Sequence, residues 1–393
     1  MERFLRNKSS WFLLCGVLVI SVVAIKYGSN LQCSQCSHAL CARPNAVSSQ
    51  IKVRPAQTNP LSARKKVPSA RTITRCTVRR KNVAFLKVHK CGSTTMSNIL
   101  HRFALRYDLN VILPNKNNTS NFWILGALDN KIHERIIPVT PGQNYNILAV
   151  ETFFDKRIFQ TLIPNNPFIL GILREPVERQ ASYVLYHKDV RTKLENQLKT
   201  DPYIFRTYPS SAPHMLRDYN FYARKWRMGN FIEKMDNEFD MIMLTEYFDE
   251  SLILLKRKLC WAFKDIVYMT LNKNLKNTGY AISPADRDKI LNTYKNDSLF
   301  YEHYKGIFFG EMSKNGVGFL HELNQFKLVL KLVRDYCTYV KKGDNSLIIP
   351  KSSWNERFRV DPNECRLMKL TEFPLVQLLQ ERQRNLYAAS SQK

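Results

Sequence analysis

Short apolar runs alternate with amphipathic stretches from Asn82 onward, a texture that predicts a parallel sheet covered by helices. Asn82 to Val88 predicts a first strand. Met96, Ile99, Leu100 and Phe103 then recur at spacings that stripe one face of a helix. Tyr145 to Val150 and Phe168 to Leu173 predict two more strands, the latter running into a helix near Pro176, where proline suits a first turn. Phe239 to Leu244 predicts a fourth strand and precedes a helix from about Asp249 to Trp261. Ile266 to Leu271 predicts a fifth strand. Ser283-Pro284 reads as a helix cap with a first-turn proline, and Asn296 to Phe309 as an aromatic-rich helix. The block is an α/β domain without internal repeats.

Upstream of Asn82 the pattern is different. An apolar run of fifteen residues, Trp11 to Ile25, interrupted only by Ser21, follows Arg3, Arg6 and Lys8 and ends at Lys26, a signal-anchor pattern whose flanking charge favours a cytoplasmic N-terminus. They cover about 22 Å of a hydrocarbon core roughly 27–30 Å thick, so Ser9, Ser10 and a snorkelling Lys26 must complete the span. A cleaved signal peptide fits the same run, and in both cases the bulk of the chain is lumenal. From Gly28 to Lys81 the chain is rich in Ser, Pro, Asn, Gln and basic residues with no sustained period, which reads as a flexible stem. The expected organisation is a tail at 1–10, an anchor at 11–27, a stem at 28–81 and a folded domain at 82–393.

Charge and cysteines refine this picture. The formal net charge is +27, but the stem holds eleven Lys or Arg and no Asp or Glu and the first 27 residues add a net three more, leaving about +13 after Lys81. That distribution argues against nucleic acid as partner and for smaller anionic ligands. Of nine cysteines, Cys15 lies in the anchor and eight face an oxidising compartment, where Cys337 and Cys365 are the first candidate disulfide. Cys33, Cys36 and Cys41 resemble a metal knuckle without a fourth ligand; stem disulfides are expected instead, with bridges between chains, and so a homodimer, left open. Glycosylation sequons occur at Asn117, Asn118 and Asn296.

Two segments carry chemistry. Phe85-Leu86-Lys87-Val88-His89-Lys90-Cys91-Gly92-Ser93-Thr94-Thr95 joins a strand to a helix through one glycine and a row of hydroxyl residues. Backbone N–H groups at the helix start can wrap a 5′-phosphosulfate, with Ser93, Thr94 and Thr95 adding hydroxyl donors. Lys90 can reach the bridging oxygen, where charge gathers as the sulfur bond breaks. A nucleotide-triphosphatase loop would place lysine after its last glycine, and here lysine precedes it. The second segment, Leu173-Arg174-Glu175-Pro176-Val177-Glu178-Arg179-Gln180-Ala181-Ser182-Tyr183, sets Arg174 at a strand end and Ser182 inside the next helix. Guanidinium and hydroxyl could close on one 3′-phosphate from two sides.

Together FLKVHKCGSTT and LREPVERQASY resemble the two motifs that bind 3′-phosphoadenosine 5′-phosphosulfate (PAPS) in Golgi carbohydrate sulfotransferases. Within these they are similar to the galactose 3-O-sulfotransferase family, which includes galactosylceramide sulfotransferase. Phe239 to Leu252, running on to Leu259-Cys260-Trp261, extends the resemblance, which covers roughly Asn82 to Leu379. It implies a three-layer, nucleoside-kinase-like sulfotransferase fold and a single-pass type II Golgi membrane enzyme. The implied acceptor is the 3-hydroxyl of a terminal β-galactose on a glycolipid or glycoprotein. Carried over by position, Lys87, Lys90, Gly92, Ser93, Thr94 and Thr95 match the phosphosulfate loop, with Cys91 where the family usually has threonine. Arg174 and Ser182 match the 3′-phosphate site.

One departure concerns the base. Where the family usually shows two adjacent histidines, this chain has Val150-Glu151-Thr152-Phe153. A carboxylate near the reacting group can take the acceptor's proton as imidazole does, so Glu151 is the candidate base, with His89 as the alternative. Transfer would be in line and need no metal. Two other readings stay open: a noncatalytic lumenal protein that keeps the nucleotide site, and a tethered basic protein that binds acidic glycans through its stem.

Overall fold

The computed structural model describes residues 78–115, 124–126, 129, 131–186, 213–271 and 282–390, all within one unit, Arg71–Lys393. The expected tail, anchor and most of the stem lie outside these residues, as do the sequons at Asn117 and Asn118. No helix among the described residues is long and apolar enough to cross a membrane.

The central sheet is built from β1 (Val83–Phe85), β3 (Ile147–Leu148), β5 (Phe168–Leu173) and β6 (Met241–Leu244), in the order β3-β1-β5-β6. Every neighbouring pair is parallel: Ala84 faces Leu148 on one side and Ile169 on the other, and Leu173 faces Leu244. All four strands are buried, which is why they read as continuous apolar runs rather than alternating ones. Parallel pairing demands crossovers, and α1 (Ser93–Arg106) follows β1 with Met96, Ile99, Leu100 and Phe103 fully buried. After β3 the chain crosses to the far side of β1, so the carboxyl end of β1 is the point where strand order reverses. In open α/β sheets that crevice is where ligands bind.

A short parallel pair, β2 (Ile124–Gly126) with β4 (Glu151–Thr152), continues past the end of β3 and carries Glu151 beyond the main sheet. The helices α2 (Ile132–Arg135) and α3 (Lys156–Leu162) flank this part of the chain. Pro176 opens α4 (Pro176–Tyr186), as its sequence predicts. Within β5, Gly171 leaves room for Tyr219: a Cβ there would stand 2.8 Å from the tyrosine oxygen, which donates to the Ile172 carbonyl at 3.1 Å.

Ahead of β6 lies α5 (Met228–Glu238), a helix not among those expected from sequence, and behind it α6 (Phe248–Leu259), near its expected boundaries. The fifth strand expected at Ile266 to Leu271 does not form. Ile266 ends the short helix α7 (Phe263–Ile266), and the following residues have no ladder. Their backbone is bonded by side chains instead: Arg102, fully buried, donates to the Val267 carbonyl at 2.6 Å, and the Leu271 N–H reaches Thr95 Oγ1 at 3.5 Å. Val267 and Tyr268 are buried, so the apolar run reports burial rather than pairing.

Ser283 caps α8 (Pro284–Thr293) by accepting from the Asp286 N–H at 3.1 Å. The aromatic-rich helix is α9 (Lys295–Lys314), followed by α10 (Gly316–Tyr339). The sequon Asn296-Asp297-Ser298 lies in the first turn of α9, with Asn296 half-buried. Asp297 points inward and accepts from the Met215 N–H at 2.7 Å and the Leu216 N–H at 3.2 Å. A hairpin of β7 (Leu347–Ile349) and β8 (Phe358–Val360) leads to α11 (Pro362–Lys369) and α12 (Glu372–Ser390). Helix α12 packs on α1 and is fixed by two buried glutamines. Gln380 donates to the Pro114 carbonyl at 2.8 Å, and Gln383 donates to that of Ile137 at 3.0 Å.

Cys337 of α10 and Cys365 of α11 are joined by a disulfide between buried sulfurs, 28 residues apart in sequence. Closing a loop of that length restricts the unfolded chain by about 3.5 kcal/mol. Replacing both by alanine is therefore expected to lower the unfolding free energy of the oxidised protein by about that amount. Urea denaturation checks this, and an unchanged midpoint would contradict it.

Candidate active site

The chain leaves β1 at Leu86 and enters α1 through a tight turn, His89 to Gly92. Two residues of the turn have left-handed backbone, Lys90 at φ 64 and Gly92 at φ 72. Glycine meets this without strain, and a Cβ at Gly92 would stand 3.3 Å from Thr245 Cγ2. Lys90 does carry a Cβ, so its conformation holds about 1 kcal/mol of strain that its surroundings must brace. Arg174 Nη1 donates to the Lys90 carbonyl at 3.3 Å, and Arg179 Nε to that of His89 at 3.0 Å. Thr245 Oγ1, past the end of β6, lies 2.6 Å from the Cys91 carbonyl. The Ser93 hydroxyl donates to the Val88 carbonyl at 2.8 Å and closes the turn.

Several residues expected to offer side-chain donors thus turn into the protein. Besides Ser93, Thr95 is buried with its hydroxyl against the Leu271 N–H. Cys91 is fully buried between the His89 carbonyl and Met215 Sδ, and burial pushes its thiol up to about 12, so it stays protonated. Thr94 is half-buried, and Ser182 is buried in the second turn of α4.

What the turn presents is positive charge. The Lys90 ammonium sits 3.5 Å over the centroid of the Tyr186 ring, and among the described residues no carboxylate pairs with it. Burial lowers its pKa to about 8, helped by the cations of Arg174, Lys87 and Arg179. Arg179 is itself buried, and its Nη2 has no hydrogen-bond partner among the described residues. Among the described residues, an ammonium without a counter-ion, a spare buried guanidinium donor and the N–H groups of a fourteen-residue helix converge on one turn. That set fits an anion of the phosphosulfate kind.

Beside it lies a row of alternating charges. Lys87 lies beneath the turn rather than in the cradle: its side chain is 5% exposed, and its ammonium is 2.5 Å from Glu151 Oε1 and 3.0 Å from Glu372 Oε2. Burial pulls this lysine down, but Glu372 and Glu151 together outweigh it and leave its pKa above the ordinary value. His89 is bracketed as well. Asp218, buried, accepts from the His89 backbone N–H at 2.9 Å and holds Nδ1 at 3.0 Å, while Nε2 is 3.5 Å from Glu151 Oε2. Hydrogen bonds to Asp218 first and Glu151 second raise His89 to about 9, so its resting form is imidazolium. Burial alone would raise Glu151, but His89 and Lys87 hold it at about 2, an ionised carboxylate at every physiological pH. Among the described residues no group of three or more His, Cys, Asp or Glu side chains could hold a metal ion.

Thus three segments distant in sequence, carrying His89 and Lys90, Glu151, and Arg174, meet at the carboxyl ends of β1, β3 and β5. Arg179, Asp218 and Glu372 belong to the same site and were not singled out from sequence. Arg179 had a signal, since it closes the R-x-P-x-x-R pattern begun by Arg174. Asp218 and Glu372 had none: they arrive from segments without motif, 129 and 285 positions away from their partners His89 and Lys87.

The profile of the galactose-3-O-sulfotransferase family matches residues 8–338 of the chain. Human galactose-3-O-sulfotransferase 2 is 28% identical over 251 residues, 59% of this chain and 61% of that protein. Human galactose-3-O-sulfotransferase 3 is 28% identical over 254 residues, covering 60% and 58%. Human galactosylceramide sulfotransferase is 27% identical over 255 residues, covering 60% and 59%. The matched part therefore spans about three-fifths of each of these relatives. With the family profile covering most of its length, and a cationic turn at the switch point of a parallel sheet, this chain belongs to the galactose-3-O-sulfotransferase family.

Proposed function

We propose that the protein transfers a sulfuryl group from PAPS to the 3-hydroxyl of a terminal β-galactose on a glycolipid or glycoprotein. The observation that carries this reading is the pairing of a Lys90 cation, which no carboxylate among the described residues compensates, with the ionised Glu151 carboxylate beside the turn. The donor supplies a sulfuryl group on a phosphate leaving group. The α1 N-terminus, Lys90 and the spare Arg179 donor would hold its phosphosulfate, and Arg174 with Ser182 its 3′-phosphate. Glu151 takes the proton of the acceptor hydroxyl as that oxygen bonds to sulfur. The electron pair of the broken sulfur–oxygen bond stays on the phosphate oxygen, where Lys90 meets it. His89, already protonated, serves to orient Glu151 rather than as a base. The residues upstream of the domain would anchor it as a single-pass type II protein with the domain in the Golgi lumen.

The full chain, purified in detergent, incubated with radiolabelled PAPS and a panel of β-galactosides, tests this reading. Label on the 3-hydroxyl of galactose is expected. Tight PAPS binding without transfer to any member would instead support a noncatalytic nucleotide-binding protein, and binding to acidic glycans alone would point to the basic stem.

A further inference from the structure

Glu372 opens α12, the last helix of the chain, beyond residue 338 where the family match ends. Its Oε2 stands 3.0 Å from the Lys87 ammonium, opposite Glu151 at 2.5 Å, so one buried cation is shared by two carboxylates. The other oxygen, Oε1, is buried with no hydrogen-bond partner among the described residues. Such an orphan acceptor is costly to bury unless a donor can reach it at some stage of the protein's work. The helix that carries it is not free to drift, because Gln380 and Gln383 fix α12 to buried backbone.

We propose that Glu372 is a positioning residue: it holds Lys87 in place and charged while Glu151 changes its own charge. The inference rests on Glu151 being the group that accepts the acceptor's proton. On protonation, Glu151 stops being a counter-ion for Lys87, and a buried ammonium left alone is strongly disfavoured. Glu372 supplies the remaining negative charge, and its spare Oε1 can take the N–H that Glu151 releases. It also restrains Lys87 beforehand, since an ammonium committed wholly to Glu151 would make that carboxylate a poorer base. Burial, with the nearby Glu151 charge, pushes Glu372 above the ordinary glutamate range, and Lys87 opposes the shift. The titratable and charged groups that face Lys87 are Glu151 from β4, Glu372 from α12, Lys90 and the Asp218-bound His89 from the turn, and His101 from α1, whose pKa burial lowers to about 3 so that it stays neutral.

The test uses the full chain and two variants. In the transfer assay Glu372→Gln is expected to lower kcat about tenfold while both KM values stay within about twofold, and Glu372→Asp, which keeps the charge, to recover most of the loss. Equal losses in both variants that follow a lowered melting temperature would show a merely structural helix start and overturn the proposal, as would an unchanged kcat. A second readout needs no turnover: ¹³C NMR of protein labelled in its lysine side chains, with Lys87 assigned through Lys87→Arg. Glu372→Gln is expected to lower the Lys87 pKa by about one unit or more, because one of two stabilising carboxylates is gone. An unmoved Lys87 titration would sink the inference. Should the wild type transfer nothing, the sulfotransferase reading fails, and the NMR titration still decides whether Glu372 governs Lys87.

Discussion

Lys90→Ala is expected to lower kcat about a thousandfold while changing donor KM only a few-fold. The ammonium is asked to neutralise charge that develops on the leaving phosphate oxygen, and removing one such preorganised donor costs about 3–4 kcal/mol of transition-state stabilisation. Ground-state binding keeps other supports: the α1 N-terminus, Arg174 and Arg179 remain. Alanine also keeps a Cβ at φ 64, so backbone strain is unchanged and loss of fold is not the reason for lost activity. The same residue sets an alkaline limit. With the Lys90 pKa lowered to about 8 in the free protein, its charge is complete below that pH and lost above it. The kcat/KM for the donor should therefore fall above about pH 8. Lys90→Arg, charged throughout, should remove that fall even if its rate is lower. A fall that persists in the arginine variant would assign the limit to another group.

The main outline of the domain is legible in sequence because burial of parallel strands writes itself as short apolar runs. Phe168 to Leu173 is a strand with the boundaries expected, and the stripe from Met96 to Phe103 is the buried face of α1. The same signal fails at Ile266 to Leu271, where Ile266, Val267 and Tyr268 are buried but the Arg102 side chain, not a neighbouring strand, takes the Val267 carbonyl. In the site, Lys90 and Arg174 were visible because a glycine turn and a strand end have local signatures. Hydroxyl rows do not: Ser93 and Thr95 look like ligand donors in sequence, yet one closes the turn and the other meets Leu271. Lys87 shows the same limit. Its place in the motif suggests an anion partner, while its surroundings, set by β4 and α12, make it the counter-ion of two carboxylates. No local pattern encodes a partner that arrives from the far end of the chain.

Glu151→Gln is expected to lower kcat by about a thousandfold or more, the scale of a positioned general base, with PAPS affinity within a few-fold of wild type. The substitution is clean because neither cation around Glu151 is left alone: Lys87 keeps Glu372, and His89 keeps Asp218. The amide oxygen can still accept from Lys87, so the variant should fold, and retained nucleotide binding checks that it does. The pH profile then separates the two candidate bases. Glu151, held at about 2, is ionised throughout the working range, so a rate that depends on it is flat with pH until the Lys90 limit near 8. His89 has its pKa raised to about 9, and a base must be unprotonated. If His89 accepted the proton, the rate would climb about tenfold per pH unit below 9, because each unit multiplies the small fraction of neutral imidazole by ten. A flat profile between about pH 6 and pH 7.5 in the wild type, together with the loss in Glu151→Gln, assigns the proton to Glu151. A rising profile, with Glu151→Gln still active, would move it to His89 and make the carboxylate the residue that orients the ring.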